Sequence, residues 1–192
     1  MNMLSFEIYP TVSHLPTIGE VSQEIGAICA HQLERMGVGV VANVVMQLVL
    51  EKDQTLECNF AEPLWTQKSG ERFWLSLQGL HDGIAVFCDA DREDILINRE
   101  EICENQTLSE EIIDHALSYG REWSLRSYAG RTAVGRFLLG CSTAALARRV
   151  NGIVYSDDSE WSELRVPVFF EEFLDKYFQD SQKWRAQILE EL

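Results

Sequence analysis

A chain of 192 residues, 46% of them apolar, can build a hydrophobic core of its own as one domain over residues 1–192, with no need of a disulfide or metal staple. Sixteen Lys and Arg against thirty-one Asp and Glu leave it at −15, which excludes a general nucleic-acid binder, because a polyanion would be repelled over most of such a surface. The most apolar stretch, Val38 to Leu50, is interrupted by Asn43 and Gln47 and falls short of the ~20 residues a membrane span requires, so no membrane segment is read.

Met1 to Glu7 shows no basic region followed by a long apolar one, so no signal peptide is read. Five cysteines (Cys29, Cys58, Cys88, Cys103, Cys141) form an odd set without a CxxC pair, which points to free thiols in a reducing cytoplasm. Leu4 to Tyr9 alternates as a half-buried strand and is closed by Pro10. Thr17 with Glu20 makes a capping box, and Ile18, Val21, Ile25, Cys29, Leu33 and Met36 then form one helical stripe that Gly37 ends. Val44 to Leu50 and Thr55 to Phe60 read as strands joined by the polar turn Glu51 to Gln54. Arg72 to Leu77 and Gly83 to Cys88 follow, with a hairpin loop from Gly79 to Gly83.

Asp89 to Asp94 is an acidic loop before a short strand, Ile95 to Ile97. A second capping box, Thr107 with Glu110, opens a helix carrying Ile112, Ile113, Ala116 and Leu117. Residues 121–131 read as an arginine-rich connection. In the next helix Val134, Phe137/Leu138, Cys141, Ala144/Ala145 and Val150 recur at helical spacing, with Arg148 and Arg149 favourably placed at its C-terminal end. Its small residues, Gly135, Gly140, Cys141 and Ser142, suit a slim helix lying close to a sheet. Asn151-Gly152 caps it, and Ile153-Val154-Tyr155 is a buried strand. Pro167 is placed in the first turn of the last helix, whose apolar face runs from Phe169/Phe170 to Tyr177/Phe178 and continues weakly through Trp184, Ile188 and Leu192. The fold class is α+β: a mixed or mostly antiparallel sheet of about six to seven strands against three to four helices, with a similar βα order in both halves.

Asp89 to Glu100 mimics the oxygen ligands of an EF-hand loop but carries Asp94 where the sharp turn needs Gly, so no metal site is read. His14, His31, His81 and His115 have no zinc spacing. GxGxxG, GxxxxGK[ST] and GxSxG are all missing, so no cofactor and no catalytic residue is assigned. His81-Asp82 is the candidate acid–base pair, and it carries one alternative, a small cytoplasmic hydrolase or transferase with a His/carboxylate site. Trp74 and Trp184 read as core, Trp65 and Trp161 as surface contacts. Six arginines (Arg121, Arg126, Arg131, Arg136, Arg148, Arg149) stand against the single acid Glu122 over 121–149, and read as internal neutralisation of acidic loops.

The segment 131–158, a helix followed by Asn151-Gly152 and Ile153-Val154-Tyr155-Ser156-Asp157, together with the strand–helix start, resembles small bacterial immunity-type proteins of toxin–immunity pairs. The resemblance implies a protein that blocks a toxin by setting an acidic face against a basic active site. The expectation is therefore a non-enzymatic inhibitor or adaptor, in which Asp89, Asp91, Glu93 and Asp94, with Asp157, Asp158, Glu160 and Trp161, engage a basic protein partner. A third reading is an assembly subunit that forms homo-oligomers through an apolar face between Trp184 and Leu192.

Overall fold

Strand β1 (Leu4–Tyr9) belongs to a sheet that separates two apolar clusters, one on each face. The computed structural model describes residues 4–39, 43–66, 70–79, 82–90, 99–104, 107–127, 132–156 and 166–191. After β1 come α1 (Ile18–Met36), β2 (Val44–Val49), a 3-10 turn (Glu51–Asp53), β3 (Thr55–Glu57), β4 (Arg72–Leu77) and β5 (Gly83–Asp89). The chain continues through α2 (Glu110–Ser118), β6 (Glu122–Ser127), α3 (Ala133–Arg149), β7 (Ile153–Tyr155), α4 (Phe170–Tyr177) and α5 (Ser181–Glu191). Residues 99–104 are also helical. The strands form one sheet in the order β3-β2-β4-β5-β6-β1-β7, with every neighbouring pair antiparallel. The class is α+β.

Alternation decides what each side carries. Leu4, Phe6 and Ile8 point to one face, where Leu125, Trp123, Val86, Ile84, Phe73, Leu75 and Met46 from the other strands join them and pack against α1, α3, α4 and α5. Tyr9 points to the opposite face, where Ile153 and Tyr155 meet Ile102, Ile113, Ala116 and Leu117. Strand β1 is inserted between β6 and β7, so the two βα halves do not divide the sheet between them.

The crossovers explain the helix lengths. Strands β1 and β2 run parallel with β6, β5 and β4 between them, and the 19-residue α1, about 28 Å long at 1.5 Å per residue, bridges that gap. Its capping box forms as the sequence requires: Glu20 N–H donates to Thr17 Oγ1 at 3.2 Å and Thr17 N–H to Glu20 Oε2 at 2.8 Å. The Thr17 backbone donor holds the Glu20 carboxyl below its ordinary value. Gly37 ends the helix at φ 69°, a left-handed conformation that glycine enters without strain. Helix α3 spans β1 to join β6 to β7, and it is buried on nearly all sides. A Cβ on Gly140 would collide with the Tyr177 ring, which accounts for the small residue there.

Five expectations from the sequence fail, each for an identifiable reason. Residues 121–131 contain a central strand, β6, in which Trp123 and Leu125 face the core while Glu122, Ser124 and Arg126 face the other side. The strand expected over Thr55 to Phe60 stops at Glu57, because the chain then turns to satisfy the start of α1: Ile18 N–H donates to Glu62 O at 2.8 Å and Gly19 N–H to Phe60 O at 2.9 Å. Thr107 makes no capping box; its hydroxyl donates to Pro167 O, and α2 begins after Ser109. Pro167 is not helical, since Val168 exchanges hydrogen bonds of 3.0 and 2.8 Å with Val154 and keeps that stretch extended. The last helix is in fact two, because Asp180 starts a new one by accepting from Lys183 N–H at 2.9 Å. The short strand expected at Ile95 to Ile97 lies outside the described residues.

Candidate interaction surface

Of the eight residues singled out for partner binding, Asp89 is described: it is exposed and ends β5. Asp91, Glu93, Asp94, Asp157, Asp158, Glu160 and Trp161 lie outside the described residues. Sheet register fixes where their two loops start. Asp89 stands opposite Glu122, one residue before Trp123, which pairs with Ile8 near the C-terminal end of β1. Strand β7 runs the other way: Tyr155 is opposite Glu7, and the next residue, Ser156, donates to Ser5 O at 2.7 Å. The two acidic loops therefore leave from opposite ends of the sheet.

A second acidic feature lies on the same face of the sheet as Asp89. Residues 99–114 hold six carboxylates (Glu100, Glu101, Glu104, Glu110, Glu111, Asp114) and one arginine, Arg99. All six acids are exposed on the short helix 99–104 and on α2. Ile102 and Ile113 anchor these two helices to Tyr9, Ile153 and Tyr155, on the face toward which Asp89 and Glu122 also project. Arg99 joins the two helices by donating to Asp114 at 2.7 and 3.2 Å. Those hydrogen bonds hold the Asp114 carboxyl below its ordinary range and raise Arg99. Asp89 and Glu122 stand directly opposite each other on adjacent strands of this face. Glu110 and Glu111 also sit in the first turn of α2, where the helix dipole favours anions.

Among the described arginines of the run, two pair with a carboxylate. Arg148 and Arg149 both bind Glu24 of α1, at 2.7 and 2.9 Å. Arg121 donates to Ser13 O at 3.0 Å, Arg126 to Ser124 Oγ at 2.9 Å and Arg136 to Gln187 Oε1 at 3.3 Å, all neutral acceptors. Arg126 also lies 5.0 Å from the Phe87 ring centroid. Arg131 is outside the described residues.

The alternative chemistry fares differently. His81 lies outside the described residues, and Asp82 accepts from Gly83 N–H at 2.9 Å and from the Thr132 hydroxyl, which in turn accepts from Gly135 N–H at 2.9 Å. Asp82 thus helps to hold the start of α3. His115 Nε2 lies 3.1 Å from Thr11 O. Among the described residues no group of three His, Cys, Asp or Glu side chains is placed to hold one metal ion. Trp65, expected at the surface, meets the Trp123 ring edge-on at 5.3 Å. Trp184 and Ile188 are buried, so the apolar face expected to mediate self-association is turned inward, leaving Leu189 exposed. Burial pushes the Cys88 thiol up to about 12 and raises Cys141 as well, which leaves both poor nucleophiles.

An antiparallel sheet with a packed helical layer on one face and an acidic helix pair on the other is the architecture that the chain defines. No protein-family model, no curated protein and no solved structure matches it. No described helix is long and apolar enough to cross a membrane. Glu100, Glu101, Glu104, Glu110 and Glu111 were not among the residues expected to bind a partner, although their signal is plain: five acids within twelve residues and no Lys or Arg between them.

Proposed function

We propose that this chain is a non-enzymatic binding protein that docks a basic protein partner through the acidic face built by Asp89, the helix 99–104 and α2. The observation that carries the reading is the exposure of Glu100, Glu101, Glu104, Glu110 and Glu111 on two helices anchored to the sheet, in a segment, 99–114, that holds six acids to one arginine. Carboxylates held on a rigid support lose little freedom when a cationic surface arrives, so the attraction goes into faster association and selection of partner charge. Asp91, Glu93 and Asp94 fall between Asp89 and this helix pair in the sequence and extend the same charge block. Asp157, Asp158, Glu160 and Trp161 belong to a second block that follows β7. An immunity-type inhibitor of a basic bacterial enzyme is the finer form of this proposal, and a cytoplasm suits five unpaired thiols.

The test replaces Glu100, Glu101, Glu104, Glu110 and Glu111 with Gln together. Wild type immobilised in native lysate at low salt is expected to retain a partner of pI above about 9, and to release it as salt shortens the Debye length from about 10 Å toward 3 Å. The five-Gln variant is expected to retain it at least about tenfold less well, a loss of roughly 1.4 kcal/mol or more. Equal retention by the variant would rule out this face.

A further inference from the structure

Arg136 stands out on the helical side of the sheet, away from the acidic face. It is half-buried near the start of α3, its Nε has no hydrogen-bond partner, and Gln187 Oε1 accepts from its Nη2 at a long 3.3 Å. No described carboxylate forms an ion pair with it. Its position is nevertheless fixed. The guanidinium carbon lies 5.8 Å from the Trp184 ring centroid, and the Tyr177 hydroxyl donates to the Arg136 carbonyl oxygen at 2.7 Å. A half-buried guanidinium with an unused donor is a costly arrangement unless something supplies the acceptor.

The space beside it supplies the rest of a site. Arg136, Lys176 and Lys183 converge with Trp184, Gln187 and Asp180 on a cavity of about 110 Å³. That is several times the ~10–15 Å³ a single water requires. Asp180 has one oxygen committed to the Lys183 backbone N–H, and Lys176 reaches Glu172 at 2.9 Å across the helix surface. Three cations against one lining carboxylate is the reverse of the chain's overall balance of −15.

We infer that this cavity, between α3, α4 and α5, is a binding site for a phosphate-type dianion. The fork of Arg136 can hold two oxygens of such a group, Lys183 and Lys176 can close on the others as point charges, and the Gln187 amide can turn to donate. A carboxylate would leave the surplus charge half matched. The phosphoryl group can belong to free inorganic phosphate or to the end of a small phosphate ester whose body lies along Trp184.

Isothermal titration of the full chain with inorganic phosphate and with phenyl phosphate, at low ionic strength, tests this. Saturable binding at about 1 mM or tighter is expected for at least one probe. Similar affinity for both assigns the site to free phosphate, and tighter phenyl phosphate assigns it to an ester. Arg136→Gln is expected to weaken binding at least about tenfold and Lys183→Gln several-fold. Lys183 is exposed, so its substitution reads the site even where Arg136→Gln lowers the melting temperature. No saturable heat up to about 50 mM with either probe, or wild-type affinity in Lys183→Gln and Arg136→Gln, would overturn the assignment.

Discussion

A chain ended after Gln179 is expected to lose its cooperative unfolding transition. Helix α5 supplies Trp184 and Ile188 to the main core. Trp184 stacks on Tyr177 with centroids 5.6 Å apart, lies 5.4 Å from Phe178, and donates its indole N–H to Tyr177 O at 3.1 Å. The helix also ends on Glu191, whose carboxylate accepts from Ala133 N–H at 2.7 Å and Val134 N–H at 2.9 Å at the head of α3. Deleting a buried Trp costs ~3–5 kcal/mol and a buried Ile ~2–5, and a lost N-terminal cap costs ~1. The total approaches the whole stability of an ordinary domain, ~5–15 kcal/mol. Urea unfolding followed by circular dichroism is the measurement. A sigmoidal transition within ~2 kcal/mol of the full chain's would show that α5 is an appendage and would restore the reading in which it serves self-association.

Trp123→Ala is expected to cost ~3–5 kcal/mol, the most of any single core truncation in the sheet. Trp123 is 0% exposed on the central strand β6, faces Trp65, and donates its indole N–H to Leu64 O at 2.9 Å. Leu64 in turn donates its own N–H to Pro16 O at 2.8 Å, so this hydrogen bond ties β6 to the loop that caps α1. Trp123→Phe separates the two effects. It keeps most of the aromatic volume and leaves the buried Leu64 carbonyl without this donor, for an expected ~1–3 kcal/mol. Chemical denaturation of both variants checks the order. Equal losses would mean that packing contributes nothing beyond the hydrogen bond.

The legibility of this fold followed how local each signal was. Helix α1 could be read to the residue because Thr17, Glu20, the apolar stripe and Gly37 all act within a turn or two of their own positions. Strand β6 was missed although Glu122-Trp123-Ser124-Leu125-Arg126-Ser127 alternates with period two. Its outward residues are charged or hydroxylic, and the chain from Arg126 to Ser124 to Glu7 that satisfies them crosses two strands. Thr107 carried a correct local pattern that lost to Pro167 O, sixty residues away. The acidic site was half legible. Spacing alone does not join Asp89 to the acids from Glu101 to Glu111, because only the fold shows both helices on the same face of the sheet as Asp89 with their acids outward.

Zero-length carbodiimide coupling joins a carboxylate to an amine only where the two already touch, so it reads an acidic docking face directly. Applied to the full chain with its partner in native lysate, docking as proposed predicts cross-links to partner lysines at Asp89, Glu100, Glu101, Glu104, Glu110 or Glu111, fading as salt is raised. Cross-links concentrated instead at Glu57 and Glu62, beside the exposed Leu56 and Phe60 at the β3 edge, with the helix pair unmodified, would contradict it.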